Sequence, residues 1–155
     1  MKASEVMTTG VITVGPNTLV QDVVMTLLSN RISAVPVVDH HGAIIGIISE
    51  ADLIRRVEIG TEKRSKWREL VSGKSGRKQE FLKSQGVRAA DVMTKPVVTA
   101  TPQMPLSELV SLFDKYRIKR LPVVDGEKII GIVSRANLLQ ALALALGHEG
   151  VGEAA

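Results

Sequence analysis

The sequence predicts an α/β fold of the α+β type, made of two βαββα repeats packed with pseudo-twofold symmetry and joined by a helical insert. Three observations carry that expectation. Residues 3–53 and 89–138 align with one single-residue gap, and roughly twenty of about fifty positions are identical. Each copy carries one apolar segment at helical spacing and two short β-branched runs. Each copy also ends on the same junction, Gly46-Ile47-Ile48-Ser49-Glu50-Ala51-Asp52-Leu53 and Gly131-Ile132-Val133-Ser134-Arg135-Ala136-Asn137-Leu138. There an apolar strand stops at a serine and a leucine-rich helix begins.

Taken in order, the first copy opens on Val6-Met7-Thr8, matched by Val92-Met93-Thr94. A short strand is expected over 11–13, ended by Gly15-Pro16. Thr18 with Gln21 three residues on has the pattern of a capping box. Leu19, Val20, Val23, Val24, Leu27 and Leu28 then form one apolar helical face that needs a sheet to cover it. Arg31-Ile32 and Arg117-Ile118 follow the helix in each copy. Residues 34–38 and 44–48 read as strands, since both are β-branched and the turn Asp39-His40-His41-Gly42 separates them. The second copy shortens that turn to Asp125-Gly126-Glu127-Lys128. One repeat alone would leave one side of its sheet and the outer faces of its helices in water, so the functional unit is the pair. The expected organisation is repeat 1 over 1–56, an insert over 57–86, repeat 2 over 87–146, and a frayed tail over 147–155.

The insert is polar and basic, broken by Gly60, Gly73 and Gly76, with two short helices expected over 62–71 and 78–84. A solvated cap or a dimer contact is its simplest use. A nucleic-acid partner is the alternative, because Lys63, Arg64, Lys66 and Arg68 cluster there, although Glu58, Glu62 and Glu69 dilute them.

Composition removes several functions. The net charge of +4 is modest, and Trp67, Phe81, Phe113 and Tyr116 are too few for a base-stacking platform. Without cysteine there is no disulfide, thiolate nucleophile or cysteine metal site. No apolar run would span a bilayer, and the first residues lack the regions of a signal peptide, so a cytoplasmic location is expected. His40 and His41 share a turn and His148 lies in the tail, which leaves no triad or metal spacing. Neither phosphate-binding glycine loop occurs. No catalytic residue, metal or cofactor is expected, and an ordinary enzyme is not the reading.

Ser49 with Asp52 three residues later reads by itself as a helix cap. The combination is more specific. Gly-hydrophobic-hydrophobic-Ser-x-Ala-Asp/Asn-Leu occurs in both copies together with Val-Met-Thr, a Thr-x-x-Pro turn and Arg-Ile-x-x-Val/Leu-Pro-Val-Val-Asp. This pattern resembles the cystathionine-β-synthase (CBS) domain, and the tandem pair resembles a Bateman module, over nearly everything except the insert and tail.

The resemblance implies a regulatory protein that binds an adenosine compound such as AMP, ADP, ATP or S-adenosylmethionine, as a homodimer acting on some protein partner. It further implies that Asp52, with Ser49 beside it, accepts the ribose hydroxyls, and that Ile47, Val97 and Val98 flank the base. Lys119 and Arg120 would reach the phosphate. The mirror cleft would draw on Val11, Ile12, Ile132, Ser134 and Asn137. It departs from the family pattern, since Asn137 replaces the acid and Ser33-Ala34 replaces the basic pair. One strong and one weak cleft are therefore expected. The alternatives are a scaffold with vestigial clefts, or nucleic-acid binding through the insert.

Overall fold

The computed structural model describes residues 1–61 and 74–147. Its elements in chain order are α1 (Ala3–Val6), α2 (Val20–Asn30), β1 (Ala34–Val38), β2 (Ile44–Ser49), α3 (Glu50–Leu53), a 3-10 turn at Val57–Ile59, α4 (Lys74–Gln85), α5 (Ala89–Val92), α6 (Leu106–Tyr116), β3 (Arg120–Asp125), β4 (Lys128–Ser134) and α7 (Arg135–Ala145). Two compact units form: one from Ile12–Val97, the other from Met1–Val11 together with the chain from Val98 onward. The folding boundary is thus displaced from the repeat boundary. α5, which opens the second copy of the sequence, packs in the unit of the first copy, and α1 packs with the second.

In the Ile12–Val97 unit, β1 and β2 form an antiparallel hairpin with a bulge between Val37 and Val38. Its core joins Val23 and Leu27 of α2, Val35 and Val37 of β1, Ile48 of β2, and Ala89 and Val92 of α5. β1 is buried on both faces from Ala34 to Val37, and Val35 and Val37, two residues apart, share the face that meets this core. Val14 bridges β1 in parallel, and Thr94 bridges β2 by exchanging both main-chain hydrogen bonds with Ile47. The hairpin therefore has a partner on each side.

The other unit repeats this plan. β3 and β4 pair with a bulge between Val123 and Val124, Ala100 bridges β3, and Thr8 bridges β4 at Ile132. Its core holds Ala3, Leu109, Phe113, Leu121, Val123 and Val133.

The matched arginines end matched helices. Arg31 and Arg117 both take the left-handed conformation at φ 51°, while Ile32 and Ile118 return their N–H groups to Leu27 and Phe113. That closes the last turn and sends the chain toward the sheet. The matched strand glycines have a steric reason. A Cβ on Gly46 would overlap the side chain of Met93, and one on Gly131 would overlap Met7. A methionine occupies the close approach at each glycine.

Two local expectations are corrected. Residues 11–13 are not a strand; only the single bridge of Val14 to Val37 forms. Thr18 does not cap α2 through its side chain, because its hydroxyl accepts the N–H of Gly15 at 3.1 Å. The start of α2 is served instead by main chain, Val20 N–H donating to the carbonyl of Val87 at 2.8 Å. The helix expected over 78–84 lies within α4, whereas the helix over 62–71, the basic cluster Lys63, Arg64, Lys66 and Arg68, and the tail over 148–155 lie outside the described residues. Among the described residues no helix is long and apolar enough to cross a membrane.

Candidate functional site

The junction of β2 and α3 concentrates polar contacts. Asp52 is only 8% exposed, and a carboxylate that far from water needs partners. One oxygen, Oδ2, accepts the Ser49 N–H at 2.9 Å and the Ser49 hydroxyl at 3.2 Å. The other, Oδ1, accepts the Thr94 hydroxyl at 2.9 Å and forms an ion pair with the Lys83 ammonium. Lys83 also donates to Thr94 Oγ1 at 2.8 Å. Three stretches far apart in sequence thus converge on one carboxylate, brought there by the β2 edge, α4 and the segment after α5.

Behind Lys83 stands Arg56, also 8% exposed. Its Nη1 donates to the Lys83 carbonyl at 3.0 Å, and its other nitrogens hold Glu58 at 3.0 and 2.6 Å. The hydrogen bond from Arg56 keeps the Glu58 carboxyl below its ordinary value.

The corresponding junction of β4 and α7 has the same frame without the charge. Asn137 Oδ1 accepts the Ser134 N–H at 2.8 Å and the Ser134 hydroxyl at 2.9 Å. Its amide Nδ2 donates to Thr8 Oγ1 at 3.2 Å. Acid-to-amide replacement therefore reverses the hydrogen bond with the threonine: Thr94 donates to Asp52, whereas Thr8 accepts from Asn137.

Of the expected ligand residues, Asp52, Ser49, Ile47 and Val97 belong to the Ile12–Val97 unit, and Val98, Lys119 and Arg120 to the other. Ile47 and Val97 are half-buried, Val98 packs on the core of its own unit, Lys119 is exposed, and Arg120 starts β3 opposite Ser134. In the mirror set, Val11, Ile132, Ser134 and Asn137 share a unit, while Ile12 packs on the core of the Ile12–Val97 unit.

Sequence reasoning missed Lys83, Thr94 and Arg56. Thr94 had a visible signal, its identity with Thr8; Lys83 had none. A cavity of about 630 Å³ opens in the Ile12–Val97 unit, lined by apolar side chains such as Leu19, Val24, Leu53, Ile59 and Val87, with Arg56 and Glu58 at its wall. Asp52 is not among its lining residues, so it is distinct from the carboxylate site. Among the described residues, no group of three His, Cys, Asp or Glu could hold a metal ion.

Comparison with known proteins identifies the family and the fold. The family model of the CBS domain matches residues 3–59 and 89–144. An uncharacterised protein of Methanocaldococcus jannaschii is 35% identical over 133 residues, covering 78% of this chain and 79% of its own. The inosine-5'-monophosphate dehydrogenase of the same organism is 31% identical over 140 residues, and the match spans 90% of this chain but only 23% of the enzyme. Among solved structures, that of CBSX2 in complex with AMP superposes with a TM-score of 0.83 at 26% identity, covering 94% of this chain and 98% of that one.

Proposed function

This chain belongs to the CBS domain family as a tandem pair of repeats, and from that premise we propose that it is a regulatory protein whose ligand is an adenosine nucleotide, AMP first. The observation that carries the reading is Asp52. It is a nearly buried carboxylate at the strand-to-helix junction, in the position where the family pattern puts the acceptor for the ribose hydroxyls. The likeness to CBSX2, solved with AMP, supports the adenosine class. We assign the phosphate to Lys119 and Arg120, because a guanidinium offers a fork of donors that suits phosphate oxygens. Ile47, Val97 and Val98 would flank the base.

The second site, at Asn137 with Ser134, Ile132, Val11 and Ile12, is the weaker one. An amide oxygen accepts a hydroxyl without the charge assistance of a carboxylate. Ligand binding would act by favouring one shape or assembly over another, and through that a protein partner. A homodimer is part of the proposal, supported by the exposed leucines 139 and 142 on α7 and by Leu146 just beyond it.

The experiment is a thermal-shift series with AMP, ADP, ATP, S-adenosylmethionine and adenosine, followed by calorimetry. A ligand at a hundredfold excess over its Kd adds about 2.7 kcal/mol. For a chain of this size that amounts to a rise of roughly 5–10 °C in Tm. Arg120→Ala should weaken AMP about tenfold or more and leave adenosine nearly unchanged. No response to any adenosine compound would overturn the reading in favour of a scaffold.

A further inference from the structure

We propose that Lys83 is a latch on the Asp52 carboxylate: an adenosine ligand engages Asp52 only by displacing this lysine, and so loosens the end of α4 without detaching it. This rests on the assignment of Asp52 to the ribose. The argument starts from acceptor capacity. An ionised carboxylate offers about four lone-pair sites. Four donors already address Asp52, namely the Ser49 N–H, the Ser49 hydroxyl, the Thr94 hydroxyl and the Lys83 ammonium. A ribose hydroxyl can donate to Asp52 only if one of them leaves.

Their anchorage decides which one goes. Ser49 is three residues from Asp52, and its N–H belongs to the same helix cap. Thr94 is tied to Ile47 by main-chain bonds of 2.8 and 3.1 Å. Lys83 reaches the site along a flexible four-carbon stem, its side chain is 29% exposed, and it comes from the insert rather than from either repeat. It is the donor that leaves most readily. Its backbone does not go far, because Arg56 holds the Lys83 carbonyl at 3.0 Å and is itself held by Glu58. The arrangement is a tethered competitor.

The other repeat carries the same frame around an amide. Asn137 fills the equivalent place with the same serine and threonine partners, and the described ion pairs include none there.

A latch lowers apparent affinity by the fraction of molecules in which it is open. Lys83→Met keeps stem length and helix propensity while removing the charge. Calorimetry of the full chain should show adenosine binding roughly three- to tenfold tighter in Lys83→Met than in wild type, with AMP tightened by a similar factor. Adenosine is the decisive probe because it carries no phosphate for Lys83 to attract. An unchanged or weaker adenosine affinity in the variant, with wild type binding normally, overturns the latch and leaves the nucleotide reading standing. If neither protein binds adenosine or AMP at millimolar concentration, both fall. Amide hydrogen exchange gives an independent readout in the unaltered protein: saturation with AMP should speed exchange over residues 79–85. Unchanged exchange there at saturation would also overturn the latch.

Discussion

Asp52→Asn copies into the first repeat the amide that the second repeat already carries, and the two junctions allow its effects to be separated. By the Asn137 precedent, the amide oxygen keeps both Ser49 donors and Nδ2 turns to Thr94 Oγ1, as Nδ2 of Asn137 does to Thr8 at 3.2 Å. Two contributions to folding are lost. The pair with Lys83 is partly exposed, at 29% for the lysine side chain, so its contribution is discounted to about 0.2–1 kcal/mol. Charge assistance on the Ser49 and Thr94 bonds adds roughly another 1 kcal/mol. The sum, about 1–2 kcal/mol, corresponds to a fall of roughly 2–8 °C in Tm. The ligand loses more in proportion. A charge-assisted hydrogen bond is worth about 1.5–3 kcal/mol, which is roughly 10- to 150-fold in affinity for AMP and adenosine alike. Melting curves without ligand and calorimetric titration with both compounds measure the two effects on one preparation. A folded Asp52→Asn protein that binds AMP as wild type does would refute the ribose assignment. A fall beyond about 15 °C in the free protein would refute the isosteric account of the junction.

Three further outcomes follow from the same geometry. Asn137→Ala should leave the tight site within about twofold of wild type by calorimetry, and loss of that site would reverse the assignment of strong and weak clefts. Gly46→Ala should cost about 1–3 kcal/mol in urea unfolding, because the new methyl group meets Met93, and Met93→Ala should recover part of it in a double-mutant cycle; additive costs would refute the contact. The Asp39 carboxyl, which accepts the N–H groups of Ala43 and His41 across the hairpin turn, should titrate below 3.8 by NMR. A lowered folded value means that its stabilisation is full above the unfolded carboxylate's value and disappears as pH falls through the folded one. Titration at or above 3.8 would remove that turn from the account.

What could be read beforehand was what repeats or alternates. The hairpins stood out because β-branched residues bracket a turn, and α2 because Val23 and Leu27 recur at helical spacing. Thr18 misled because its side chain has the chemistry of a cap, while the neighbouring Gly15 N–H claims it. Residues 11–13 misled because apolar β-branched residues do not require a ladder when one bridge suffices. Which copy packs with which short helix was hidden by the duplication itself. Ala3 and Ala89, Val6 and Val92, and Met7 and Met93 are identical pairs, so either helix suits either hairpin on pattern alone. Lys83 was invisible for the opposite reason: it is one cation in a basic stretch, without period or partner in sequence. Asp52 was legible by family pattern, but the saturation of its acceptors is a property of three distant segments meeting.

The displacement between repeat boundary and folding boundary has a consequence for how the molecule is made. Synthesis proceeds from the N-terminus, and domains close as their residues emerge. The Ile12–Val97 unit can complete itself once α5 and Thr94 have left the ribosome. Residues 1–11 emerge before that unit yet settle after it, since Ala3 must wait for Leu109, Leu121 and Val133. Severing the chain in the insert would accordingly give two fragments, each carrying the other's missing helix. They should regain structure when mixed and stay incomplete when kept apart.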